Sequence, residues 1–99
     1  SSVTPLDLLE PHGLREDALQ PLMSALRNDA RILRAYLTRK RLRHSSGWLF
    51  VIGIVAKEAP AIPATELLPA ESCLVLLDRS QRALQGALQS VPGSEIYVR

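Results

Sequence analysis

The spacing of apolar residues changes several times along the chain, and each change predicts an element. Val3 to Gly13 keeps no period and contains Pro5, Pro11 and Gly13, which predicts an extended lead-in with one turn at Leu6–Glu10. From Leu14 onward, Leu19, Leu22, Met23 and Leu26 recur at helical spacing, and Glu16 and Asp17 stand where acids favour a helix N-terminus. Pro21 lacks the N–H that an interior turn needs, so the regular helix is expected from near Gln20, or with a kinked first turn. Asn28-Asp29 reads as its stop.

The next segment fits two periods. Leu33, Ala35 and Leu37 share one strand face, with Arg34, Tyr36 and Thr38 on the other, while Ile32, Leu33, Tyr36 and Leu37 would share a helix face. A strand is preferred because a hairpin partner follows. "HSSG" (His44–Gly47) is turn chemistry, and Trp48 to Val55 is rich in aromatic and β-branched residues. Trp48, Phe50, Ile52 and Ile54 face one way and Leu49, Val51 and Val55 the other, which predicts either a central strand covered on both sides or a face used for association. Gly53 marks a bulge or a close approach.

Pro60, Pro63 and Pro69 make Lys57–Pro69 a connecting loop, with one helical turn at Thr65–Leu68. "SCLVLL" (Ser72–Leu77) is a short strand. Asp78 is the N-cap of a helix whose buried side is Leu84, Ala87, Leu88 and Val91, and Pro92-Gly93 ends it. "EIYVR" (Glu95–Arg99) closes as a strand, with Glu95, Tyr97 and Arg99 on one face. The order α-β-β-β-α-β predicts an α+β fold, with an antiparallel or mixed sheet of about four strands and two main helices. Residues 1–13 are the lead-in and 14–99 a single domain.

Composition narrows this picture. At 46% apolar residues over 99 positions, one core can form without disulfides or metal. The lone cysteine, Cys73, makes no intrachain bridge and fits a reducing compartment, so a cytoplasmic location is expected. The longest apolar run, Trp48–Ala56, is far short of the roughly 20 residues a membrane helix needs, so no membrane role is expected. The formal charge of +2 conceals an asymmetry: Arg27 to Arg43 holds seven bases against Asp29 alone, leaving a net −4 elsewhere.

Recognisable catalytic chemistry is sparse. His12 and His44 lie far apart in turn-like contexts, without carboxylate or cysteine at ligand spacing, so each reads as a polar turn residue rather than a metal ligand. Cys73 opens an apolar strand and reads as a small buried hydrophobe. No nucleophile elbow and no glycine-rich phosphate loop occurs. No catalytic residue, cofactor or metal is expected.

The basic run invites a polyanion. Its cations could neutralise phosphates, but base stacking normally adds exposed aromatics. Only Tyr36 lies within the run, while Trp48 and Phe50 read as core. The favoured reading is the wet end of a hairpin on an edge strand, where Arg and Lys also discourage stray strand pairing. An anionic protein partner ranks next, and nucleic acid is less favoured. The candidate interaction surface is Arg34, Arg39, Lys40, Arg41, Arg43, Tyr97 and Arg99.

The layout resembles a known family. "LQPLMSALRND", "ARILRAYLTRK", "GWLFVIGI", "CLVLLDRSQRALQGAL" and "EIYVR" are similar to the C-terminal domain of the bacterial enhanced serine sensitivity protein, SseB. The matching positions are Ala35, Tyr36, Leu37, Gly53, Asp78, Leu84, Tyr97 and Arg99, and the likeness covers Leu14 to Arg99. Where that family has a further helix, this chain has the proline-rich Ala59–Pro69. The resemblance implies a bacterial, cytoplasmic, non-catalytic domain with no active site to carry over. The expected function is therefore protein interaction or regulation, through a protein partner or self-association. The alternatives are a dimeric module like the secretion chaperones, though those tend to be acidic and this chain has a pI near 9.1, or a weak nucleic-acid binder.

Overall fold

A computed structural model of the protein describes residues 3–42, 46–62 and 66–99. Its elements are β1 (Glu10–Pro11), α1 (Glu16–Asn28), β2 (Ile32–Arg41), β3 (Trp48–Ala56), β4 (Ser72–Leu76), α2 (Arg82–Gln89) and β5 (Glu95–Val98). A 3-10 turn, Arg79–Gln81, leads into α2. The fold is α+β with a mixed sheet. β2 and β3 form an antiparallel hairpin, β3 and β4 run parallel, and β1 and β5 both pair antiparallel with the remaining edge of β2.

The helices lie on opposite sides of the sheet. Leu22 and Leu26 of α1 pack with Ala35, Leu37, Phe50, Ile52 and Ile54. On the other side, Leu84 and Leu88 of α2 pack with Tyr36, Val51 and Leu77. The expected alternation in β3 is therefore observed, and its explanation is a central strand covered on both faces. Gly53 is the close approach: a Cβ there would stand 2.6 Å from Leu88 Cδ1 and 3.0 Å from Leu77 Cδ1. The parallel β3–β4 crossover carries Ile62, Leu67 and Leu68 onto the α1 side. The expected turns at His44–Gly47 and Thr65–Leu68 both begin outside the described residues.

Several expectations are corrected. α1 begins at Glu16 and runs through Pro21, at the cost of the hydrogen bond that an N–H at that position would make. The lead-in turn lies at Thr4–Asp7, where Asp7 N–H donates to Thr4 C=O at 3.1 Å. The lead-in then contributes β1, in register at Glu10 with Arg39 and Pro11 with Thr38. β2 is thus an interior strand, not the edge expected from its charges.

Two bulges redirect side chains. Between Ile32 and Arg34 the β2–β3 register slips, which brings Ile32 into the α1-side core with Ala35 and Leu37. This slip reconciles the two periods of that segment. A second slip in β5 sets Glu95 opposite Tyr36 but Tyr97 opposite Ala35. Glu95 consequently lies on the α2 side, while Tyr97 packs on the α1-side core. The single shared face expected for Glu95, Tyr97 and Arg99 is split, because an extra residue in a strand inverts the alternation beyond it.

Candidate interaction surface

The seven candidate residues fall into three groups, and Arg43 lies outside the described residues. The first group forms around the last described pairs of the hairpin. Arg41 is opposite Trp48, and Arg39 is opposite Phe50 one pair further in. Side chains two apart on a strand share a face, so both arginines stand beside Trp48 on the α1 side. The Arg39 guanidinium carbon lies 3.9 Å from the Trp48 ring centroid, and that of Arg41 lies 4.7 Å away. Each such contact is worth about 0.5–1 kcal/mol at an exposed site. Among the described residues neither arginine makes an ion pair, and the Arg39 Nε is buried without a hydrogen-bond partner.

Arg39 is half-buried because the chain folds over it. At the β1–α1 turn Gly13 adopts φ +66°, and a Cβ on it would come within 3.2 Å of Arg39 Nη1. His12 closes this turn, its Nδ1 accepting the Leu14 N–H at 2.9 Å. Burial and the neighbouring Arg39 guanidinium hold its imidazole below its usual range. The reading of His12 as a polar turn residue is therefore matched by its geometry.

Lys40 points to the opposite side of the sheet. Its side chain is only 13% exposed, and its Nζ lies 3.0 Å from Asp7 Oδ2 on the lead-in. The picture of a wet charged arm thus fits Arg41, which is exposed, and fails for Arg39 and Lys40.

The second group is Arg34, at the other end of β2. Its Nη1 lies 3.4 Å from Glu95 Oε2, and the neighbouring Tyr36 and Glu95 side chains hold its guanidinium in the charged form. The buried Tyr36 hydroxyl accepts from Gln89 Nε2 at 2.9 Å, tying β2 to the end of α2.

Tyr97 and Arg99 make the third group, and Arg99 serves the end of α1. Its Nη2 donates to the carbonyls of Leu26 (3.2 Å), Arg27 (3.2 Å) and Asp29 (2.8 Å), and its Nε to that of Ile32 (2.8 Å). The last carbonyls of a helix have no partner within it and carry partial negative charge, so a guanidinium there meets both needs. Beside it, Arg31 Nε and Nη2 each lie 2.8 Å from an Asp29 carboxylate oxygen, a two-pronged pair. These bonds hold the Asp29 carboxyl at about 2. A shallow groove of about 340 Å³ lined by Ala25, Asn28, Asp29, Arg31, Ala61 and Ile62 runs past this pair.

Sequence reasoning missed Trp48 beside Arg39, and Asp7 as the partner of Lys40 on the other side of the sheet. Trp48 was expected in the core, yet it is half-buried and supports the two arginines. The signal was available: counting pairs back from the "HSSG" turn sets Trp48 opposite the basic run. Asp7 gave no such signal, because its partner lies 33 residues away.

Cys73 is half-buried on the α2 side, and burial pushes its thiol up. Among the described residues no group of three or more His, Cys, Asp or Glu is placed to hold a metal ion, and no helix is long and apolar enough to cross a membrane. No family model, curated protein or solved structure was found to match the chain.

Proposed function

We propose that the protein is a non-catalytic interaction domain whose working surface is the Arg39–Trp48–Arg41 platform, and that this platform takes an acidic segment of a partner protein. The observation that carries the reading is two guanidiniums held over one indole with no carboxylate paired to either among the described residues. Two like charges held against one ring repel, and an incoming carboxylate relieves that repulsion. A guanidinium presents a planar fork that matches a carboxylate in two-pronged geometry. The ring face that the arginines cover is closed to a nucleic-acid base, which favours a protein carboxylate over stacking. The likeness to the SseB C-terminal domain supports the same reading, since it implies no catalytic residues. Self-association through an uncovered sheet face loses its basis, because α1 and α2 cover β3 from both sides.

Trp48 is the only tryptophan, so its emission reports the platform directly. An oligo-aspartate peptide should shift that emission saturably at low salt, and the affinity should fall as salt is raised. Arg41→Ala should weaken binding by roughly threefold to tenfold, about 1 kcal/mol. No emission change with the peptide at low salt would sink the reading. Tighter binding of a single-stranded oligonucleotide than of the peptide would replace it with a nucleic-acid surface.

A further inference from the structure

The platform has a titratable neighbour whose hydrogen bond requires it to be neutral. His12 accepts the Leu14 N–H at Nδ1, so that nitrogen must keep its lone pair and the ring its proton on Nε2. A protonated imidazole has donors on both nitrogens and cannot accept this bond. The turn it closes lies over Arg39: a Cβ at Gly13, between His12 and Leu14, would stand 3.2 Å from the guanidinium Nη1, and that guanidinium in turn rests on Trp48.

We propose that His12 is a proton-responsive clasp on the platform. In its neutral form it closes the turn that seats Arg39. On protonation it releases Leu14 N–H and joins Arg39 and Arg41 as a third cation, so acidic segments bind more tightly as the pH falls. This rests on the reading of the platform as an acidic-segment site.

Among the described residues, the charged groups on the elements around the imidazole are these. Arg39 approaches from β2 and opposes protonation. Glu10, on β1 two residues before the histidine, is in register with Arg39 and makes no ion pair with it. At the start of α1, Arg15, Glu16 and Asp17 are exposed, and Arg15 and Asp17 lie 3.7 Å apart as a pair. In the free protein burial and Arg39 therefore resist the proton, and a bound carboxylate offsets both. By linkage, a ligand that favours the protonated ring binds better where the ring is protonated.

The discriminating variant is His12→Asn. The asparagine Oδ1 can accept the N–H two residues on, as Asn commonly does in turns, and it does not titrate. Trp48 emission of the free wild-type protein should show a step as the pH falls below about 6.5, the ordinary imidazole value, and His12→Asn should show none. Arg39→Ala, which keeps His12 but removes the link to the indole, should lose the step as well. Affinity for the oligo-aspartate peptide should rise roughly threefold to tenfold from about pH 7.5 to about pH 5.5 in the wild type and stay level in His12→Asn. A step that persists in His12→Asn, or its absence from the wild type, overturns the clasp. A pH-independent affinity in a wild type that does bind peptide overturns the gating. If no peptide binds at either pH while the step is present, the acidic-segment reading fails and the clasp on Arg39 stands alone.

Discussion

β2 carries arginines at both ends, and the two ends use them in opposite ways. Near Ile32 the cations are consumed by the fold. Arg31 grips Asp29, Arg34 meets Glu95 and Tyr36, and Arg99 fills the open end of α1. About seven residues further along, some 23 Å at strand rise, Arg39 and Arg41 rest on an aromatic ring without ion pairs among the described residues. Local charge density is similar at the two ends, so it does not mark a site. What separates them is whether the partner is an acceptor or a ring. An acceptor satisfies the guanidinium, whereas a ring holds it in place and leaves its donors to be used.

The largest expected effect breaks the structural end. Arg99→Ala removes four donated bonds to carbonyls around the α1 terminus, and a loss of about 1–3 kcal/mol is expected in urea unfolding. Peptide binding at Trp48 should survive this change. If Arg99→Ala costs nothing in stability, the two ends are not different in kind. A smaller effect concerns acid. Asp29 has its carboxyl lowered to about 2 from 3.8, so the stability it supplies is complete above about 4 and is lost as the pH falls through about 2. The wild type should therefore lose its advantage over Asp29→Asn across that window, read from unfolding midpoints at each pH. A gap between the two proteins that stays constant down to the lowest pH would place the stabilisation elsewhere.

How much of this was legible depends on the range of each interaction. The two faces of β3, the Asp78 cap and the tightness at Gly53 are written in short periods and neighbouring residues, and the structure shows all three. Asp78 Oδ1 accepts the Ser80 N–H at 2.9 Å, although the turn it caps is 3-10 and leads into α2 rather than starting it. The bulges near Leu33 and Ile96 were not legible, because a register slip is set by what a strand packs against and leaves no local residue signature. β2 looked like an edge because isolated charges argue for water. The pattern could not show that Asp7 would reach Lys40 or that Trp48 would carry Arg39. The role of Arg99 was hidden for the same reason, since its acceptors lie 67 to 73 residues away.

The smallest expected effect on stability gives the sharpest test of the contrast. Arg41 is exposed, holds no carboxylate among the described residues, and touches the Trp48 ring. Replacing it with alanine removes one ring contact and also relieves repulsion from Arg39, so the two changes oppose each other. Arg41→Ala should therefore leave the unfolding free energy within about 0.5 kcal/mol of wild type. Arg39→Ala should be costlier, because its side chain is half-buried beneath the His12–Leu14 turn and its removal leaves a void there. Unfolding curves of the two variants, measured side by side, separate a cation that supports the fold from one that is only presented by it. Should Arg41→Ala prove as destabilising as Arg99→Ala, Arg41 is structural too, and the platform loses the residue that most clearly distinguishes it from the other end of the strand.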